Sequence, residues 1–221
     1  MAGIMDRLRH FVLSKIFKLL YHQFAFSYDL VASLVSLGLW KSWVFSAREY
    51  LNGPKVLEIG HGTGHLLRAL SELGLWVIGL EESWQMQELA RKNLENAGLK
   101  LKSVNAVAQT IPFKSNLFDQ VVATFPSDYI ADPLTLTEIY RVLLPGGSLI
   151  VVPVAWITGK NWSQRVAARL FRITGEAPEL NPEFVQKWLR LFTNAGFQVH
   201  NEYVKLGSSL VFILISKKPY P

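Results

Sequence analysis

The sequence predicts an α/β fold: a Rossmann-like, doubly wound, mostly parallel seven-stranded sheet with an antiparallel last strand, N-terminal helices, and a helical insertion after strand five. Three observations predict it. After Pro54, short apolar runs alternate with helix-period segments as far as Pro153. A glycine-rich turn directly follows the first of these runs, and the last two runs are joined by a turn around Gly207 that is too short for a crossover. Each parallel crossover must return along a face of the sheet, so the alternation places helices on both faces.

Size and composition set the limits. With 221 residues, 50% of them hydrophobic and 18% charged, the chain suits one well-buried domain with an appendage. A net charge of +6 favours an anionic partner: a nucleic acid, a phospholipid surface or an acidic substrate. The absence of cysteine removes disulfides, thiolate zinc sites and cysteine nucleophiles, and permits a reducing, cytoplasmic location.

The elements follow in order. From Leu8 to Tyr21 the apolar residues Leu8, Phe11, Val12, Ile16, Leu19 and Leu20 recur at helical spacing among basic residues, a basic amphipathic helix. Asp6, Arg7, Arg9, Lys15 and Lys18 break this segment too often for a signal peptide or a membrane span. A second helical stretch runs from Tyr28 to about Tyr50, with Gly38 as a break and "LNGP" as its stop, so residues 1–50 are expected as an N-terminal helical cap on a domain of residues 51–221. "KVLEI" is the first strand, followed by a helix from about Gly64 to Leu73, the strand "WVIGLE" and a helix from about Trp84 to Asn96. "LKLKSV" and "FDQVVATF" are the next strands, a helix spans about Leu134 to Leu143, and "LPGG" turns the chain into "SLIVVPV". An insertion at about 154–180 carries Trp162, Val166, Leu170 and Ile173 on one helical face with Arg165, Arg169 and Arg172 on its flanks, suited to a lid, a partner surface or an interfacial membrane element. "FQVHNEYVKL" and "SLVFILISK" close the sheet as an antiparallel pair.

The chemistry concentrates at "KVLEIGHGTGH", Lys55 to His65. Glycines after a strand bring backbone close to a ligand at the carboxyl edge of an open α/β sheet. A dinucleotide site requires a glycine where His65 stands, and a phosphate loop requires a Gly-Lys-Ser/Thr that is absent. The pattern is instead E-x-G-x-G-x-G, with Glu58, Gly60, Gly62 and Gly64. His61 and His65, four apart, lack a third ligand nearby and are expected as local loop residues, with no metal.

At these residues the chain resembles the class I S-adenosylmethionine-dependent methyltransferases, in particular the ubiquinone/menaquinone-biosynthesis group. "VLEIGHGTGHLL" is similar to their first motif and "VIGLEES" to the next; "QTIPFKSNLFDQVVATF" and "IYRVLLPGGSLIVV" resemble the segments around strands four and five, and "FAFSYDLVASLVSLGLW" the N-terminal segment. The resemblance implies S-adenosylmethionine as cofactor, with Glu58 ordering the loop, Gly60, His61, Gly62 and Gly64 passing under the methionine moiety, and Glu81 taking the ribose hydroxyls. It also implies cofactor contacts at Glu82, Ala108, Gln109, Thr124 and Tyr28. Many relatives hold an aspartate against the adenine where this chain has Val107. No residue declares itself a base; Asp128, Tyr129 and Tyr28 are the catalytic candidates by position.

The expected acceptor is a small or lipid-like molecule, of quinone-precursor or phospholipid-headgroup type, with peripheral contact to an anionic membrane through the basic helices. A nucleic-acid acceptor lacks a separate recognition domain and a good base-flipping motif. A cofactor-binding interaction protein without transfer activity is the rival from another class. The oligomeric state is not written in these patterns.

Overall fold

The computed structural model describes residues 36–159, 161–162 and 181–221. The sequence-predicted N-terminal amphipathic helix and Tyr28 lie outside the described residues, as does most of the insertion.

A turn with Leu37 and Gly38 at positive φ leads into helix α1, Trp40–Phe45, and a 3-10 turn, Ser46–Tyr50. The described part of the long second helix is α1 and the contiguous 3-10 turn, and the left-handed backbone at Leu37 and Gly38 precedes them at the predicted break. Then come β1 (Lys55–Ile59), α2 (His65–Glu72), β2 (Trp76–Glu81), α3 (Trp84–Glu95), β3 (Ser103–Asn105) and β4 (Phe118–Thr124). A second 3-10 turn, Asp128–Ala131, precedes α4 (Pro133–Val142), β5 (Leu143–Ile157), α5 (Pro182–Asn194), β6 (Gln198–Leu206) and β7 (Ser209–Lys217).

The seven strands form one sheet in the order β3-β2-β1-β4-β5-β7-β6. β7 is antiparallel to both neighbours and the other pairings are parallel. The order reverses between β1 and β4, which marks the crevice where open α/β sheets bind ligands. β5 begins earlier than "SLIVVPV" because "LPGG" is an excursion within it: opposite Phe118 and Gln120 of β4 stand Leu143 and Ser148.

Alternate residues of the central strands feed two cores, as the two-residue repeat of a strand requires. Leu57, Val121, Ala123, Leu149, Val151, Phe212 and Leu214 pack with α4 and α5 on one face. Val56, Val122, Ile150, Val152, Val211 and Ile213 pack with Trp43 of α1, Leu66 and Leu70 of α2 and Leu94 of α3 on the other. Each such fully buried aliphatic side chain contributes about 1.5–3 kcal/mol. Helices α3, α4 and α5 start at side-chain caps: Ser83 accepts from the Met86 amide, Asp132 from Leu134 and Asn181 from Phe184, with Pro133 and Pro182 in the first turns of α4 and α5. Among the described residues no helix is long and apolar enough to cross a membrane.

Candidate functional site

The loop after β1 is built from backbone that only glycine adopts without strain. Gly60, Gly62 and Gly64 have φ of 67°, 52° and 78°. The Gly60 amide donates to the Leu80 carbonyl at 2.7 Å, extending the β1–β2 ladder by one step, and the Gly64 amide donates to the His61 carbonyl at 2.9 Å. A side chain at Gly64 would press on Ala90 of α3, whereas one at Gly62 would meet nothing within 4 Å, so the loop is packed beneath and open at its crest.

Glu81, the last residue of β2, closes onto that loop. Its Oε2 accepts the Gly62 amide at 3.0 Å and its Oε1 accepts the Ser83 amide at 2.8 Å. The side chain is 2% exposed. Glu58 lies one strand away and is equally buried, with Oε2 lacking any hydrogen-bond partner. Burial, reinforced by the negative field of Glu81 and opposed by the Leu67 backbone amide, pushes the Glu58 carboxyl well above the usual range. Burial thus favours the protonated form of the Glu58 carboxyl.

His61 turns away from the crest. Its Nδ1 faces the Gly62 carbonyl at 3.0 Å and its Nε2 faces the Ser103 hydroxyl at 2.8 Å. Because a carbonyl only accepts, Nδ1 carries the proton and Nε2 accepts from Ser103. Burial lowers the ring to a pKa of about 4, so it is neutral at physiological pH. The ring fills the space beside Gly79, where a Cβ would fall on His61 Cδ2. His61 thus pins the loop to β2 and β3.

A glycine loop at the switch point, an acid at the end of the next strand and a strand order of 3-2-1-4-5-7-6 narrow the possibilities, and comparison with known proteins decides among them. Residues 57–151 match the family described as a methyltransferase domain. Over those residues the chain is similar to a methyltransferase domain. It is 34% identical over 160 residues to the ubiquinone/menaquinone biosynthesis C-methyltransferase UbiE of Blochmanniella floridana, an overlap of 68% of this chain and 63% of that protein. To the protein of the same name from Cupriavidus taiwanensis it is 29% identical over 90% of both chains. The chain thus spans somewhat less than two thirds of the first relative and 54% of the one from Bordetella parapertussis. A S-adenosylmethionine-dependent methyltransferase from Methanosarcina mazei shares the fold, with a TM-score of 0.56 at 23% identity over 80% of this chain and 98% of that one.

The remaining sequence-predicted residues divide. Glu82 is exposed, and its carbonyl, like that of Glu81, accepts from Asn105 Nδ2. Ala108 is buried and Gln109 is tied through Nε2 to Asp132 Oδ2 at 3.0 Å; Val107 stands exposed beside them. Thr124 ends β4. Asp128 is exposed, whereas the Tyr129 hydroxyl donates to the Ile59 carbonyl at 3.2 Å, and a Cβ at Gly60 would come within 2.5 Å of it. The structure therefore brings Tyr129 to the glycine loop and leaves Asp128 outside it. His65 opens α2, and the described residues hold no group of three metal-ligating side chains.

Three contributors carried no local signal. Ser103 holds His61, Asn93 Nδ2 donates to the Thr63 carbonyl at 2.8 Å, and Phe125 follows Thr124 at φ 47°. The first two are ordinary residues of β3 and α3 whose partner is the loop. A non-glycine residue in the left-handed region costs roughly 1–2 kcal/mol, and the following Pro126 disfavours it further.

The residues fit S-adenosylmethionine. The open crest at Gly62 admits a ligand against the backbone, and the Glu81 carboxyl stands at the end of β2 directly beside that crest.

Proposed function

We propose that this chain transfers the methyl group of S-adenosylmethionine to a small apolar acceptor of the quinone-precursor type. The observation that carries the reading is the closure of Glu81 on Gly62, which places one carboxylate between the glycine loop and the end of β2, where the ribose hydroxyls of such a cofactor fall. The names of the curated relatives support the acceptor class.

When bound, the sulfonium supplies an activated methyl group whose C–S electron pair returns to sulfur as an acceptor nucleophile attacks in line. The chain's own residues then have to align, exclude water and, for a hydroxyl or ring carbon, help a proton leave. Glu81 holds the ribose. Gly60, His61, Gly62 and Gly64 carry the methionine end, with the buried Glu58 and the neutral His61 ring fixing the loop from beneath. Ala108 and Gln109 offer backbone to the adenine in place of an aspartate, Glu82 borders it, and Thr124 meets the reacting end. Tyr129 reaches the glycine loop and Asp128 does not, and Tyr28, outside the described residues, is the third candidate. No residue is assigned as base.

Residues 1–50 are proposed as an N-terminal cap on the domain of residues 51–221, and the basic apolar stretches there and in the insertion as the segments that hold the protein peripherally on anionic lipid at the cytoplasmic face. Vesicles containing anionic lipid are expected to retain the protein at low salt and release it at high salt; failure at low salt favours a soluble acceptor. Incubation with methyl-labelled S-adenosylmethionine and a cell extract tests the reaction. Label is expected in extractable quinone-like metabolites, and label in nucleic acid, or in nothing, contradicts the reading.

A further inference from the structure

A doubly wound sheet carries crossover helices on both faces, and one crossover here departs from that pattern. Residues 106–117, between β3 and β4, form turns and no helix. On the opposite face α2 and α3 cover β2. On this face, where Phe113 and Leu117 of the loop join the core, Ile78 and Val104 stay half-buried. The amino-terminal margin of the face is open. Trp76, which starts β2, is 38% exposed, and Leu73 in the turn before it is 58% exposed. The Trp76 amide donates to the Pro54 carbonyl at 3.1 Å, and its ring stacks on Phe118 at 6.1 Å between centroids. The core thus holds the inner side of the indole while part of its surface meets water.

Lysines flank that ring. Lys55 is the partner of Trp76 in the β1–β2 ladder. The Lys102 carbonyl accepts the Gly79 amide at 2.8 Å, and carrying the β2–β3 register back from Ser103 sets Lys102 beside Ile78 and Lys100 beside Trp76. Residues level with one another on neighbouring strands share a face, with the strands about 4.8 Å apart. Lys114 follows Phe113, whose ring meets Phe118 edge-on at 5.2 Å. All four lysines are exposed, and among the described residues none of them makes an ion pair. By contrast Arg68 is paired to Glu72, Arg91 to Glu88 and Glu95, and Arg141 to Glu138. Asp119, beside Lys55, spends Oδ2 on the Lys55 amide at 3.1 Å.

Charge decides what covers this margin. A second copy of the chain brings the same lysines, and residues 1–35 and 163–180 carry more lysine and arginine than acid, so both are repelled. The lysines lie in a row across the strands instead of converging on one point, which suits a layer of many phosphates. An indole and a leucine side chain among unpaired lysines match the headgroup region of an anionic bilayer: the ring takes the interface, the lysine stems lie along it and the ammonium groups meet phosphate.

We propose that Lys55, Trp76, Lys100 and Lys102, bordered by Leu73 and Lys114, form a docking surface for an anionic phospholipid bilayer. It lies at the amino-terminal ends of the strands, away from the glycine loop, and it extends the peripheral contact proposed above to residues of the sheet itself. The informative variant is the double substitution Lys100→Gln and Lys102→Gln, because both side chains are exposed and unpaired and their loss leaves the core untouched.

The test is co-sedimentation of the full chain with phosphatidylcholine vesicles containing about one third phosphatidylglycerol, with pure phosphatidylcholine vesicles and soluble poly-glutamate as the other probes. The wild type is expected to bind the anionic vesicles and neither of the others. The vesicle Kd should rise about tenfold or more in the Lys100→Gln, Lys102→Gln protein and about fivefold or more in Trp76→Ala. The same change of charge at the far edge of the sheet, Lys187→Gln with Lys205→Gln, should leave it within about twofold. Wild-type affinity in the Lys100, Lys102 variant overturns this surface while leaving the contact through the basic segments standing, and equal losses in the two lysine pairs overturn it as well. Binding of poly-glutamate in place of vesicles overturns it in favour of an acidic protein partner. Failure of the wild type to bind anionic vesicles overturns both membrane contacts, a distinct result.

Discussion

At the amino-terminal end of the parallel strands Lys218 and Gln120 satisfy a cluster of backbone groups, with Ser216 Oγ as an unmatched buried oxygen, whereas at the carboxyl end several groups around the glycine loop are left incomplete. Lys218, just after β7, donates from Nζ to Asn116 Oδ1 and to the carbonyls of Tyr140 and Leu143 at 2.7–3.0 Å, using all three protons, and lies 4.7 Å from the Tyr140 ring. Burial lowers its pKa, but the carbonyls sit at the C-terminus of α4, where a cation is favoured. Gln120 likewise receives the Asn52 and Gly53 amides and donates to the Tyr50 carbonyl and Ser148 hydroxyl. Opposite, Glu58 keeps an unmatched oxygen, Gly62 has an open crest, and Phe125 holds a strained backbone. Same sheet, same strands: one end is largely completed by its own side chains and fixes the strand ends, and the other is left incomplete where a ligand completes it.

Substitutions at the two ends should therefore separate binding from stability. The largest effect is expected for Glu81→Ala, which removes the carboxyl that ties the glycine loop to the end of β2 and is proposed to hold the ribose; calorimetry should show S-adenosylmethionine affinity falling at least about 100-fold. Full affinity in that variant breaks the comparison at its functional end.

Next comes pH. His61 has a folded pKa of about 4 against an ordinary 6.5, so the stability from its neutral ring is present above pH 6.5 and is lost as pH falls from 6.5 towards 4. The loss amounts to about 3 kcal/mol. Glu58 acts in the opposite sense: its raised pKa means its contribution is fully present below the ordinary 4.5 and declines as pH rises above it. Denaturant titrations across pH 4–7 should show a flatter acid limb in His61→Gln than in wild type, and parallel curves would contradict the buried neutral ring.

Lys218→Ala tests the other end. Loss of three hydrogen bonds to buried carbonyl oxygens should lower stability by about 2 kcal/mol in chemical denaturation. Affinity for the cofactor should not move, because the residue lies at the far end of the strands. A drop in affinity would show that the two ends are coupled. The smallest effect is a coupling: Gly79→Ala is expected to destabilise by about 1–2 kcal/mol because the His61 ring occupies its Cβ position, and the cost should shrink by at least half in a His61→Ala background.

How far the sequence revealed these features depends on the range of their interactions. Gly60, Gly62, Gly64 and Glu81 were legible because a positive φ leaves glycine as the residue without strain, and an acid at a strand end needs no partner to be noticed. The alternation of strands and helices was legible for the same local reason, as was the antiparallel finish through Gly207. His61 was seen but not its role, since Ser103 and Gly79 reach it only when three strands assemble. Tyr129 was placed near the site by position, yet the carbonyl it holds lies 70 residues earlier. Phe125 was invisible: phenylalanine has no preference for the left-handed region, and Trp40, its partner, is 85 residues away in sequence and adjacent only in the fold. "LPGG" was read as a turn and became an excursion inside β5 because Gly146 and Gly147 exchange backbone hydrogen bonds with Lys218.

The central claim is that the incomplete end of this sheet is completed by S-adenosylmethionine, and calorimetric titration of the purified full chain is its most direct test. The account predicts saturable one-to-one binding of S-adenosylmethionine and S-adenosylhomocysteine and no binding of NADH. Binding of NADH without the sulfonium would contradict it.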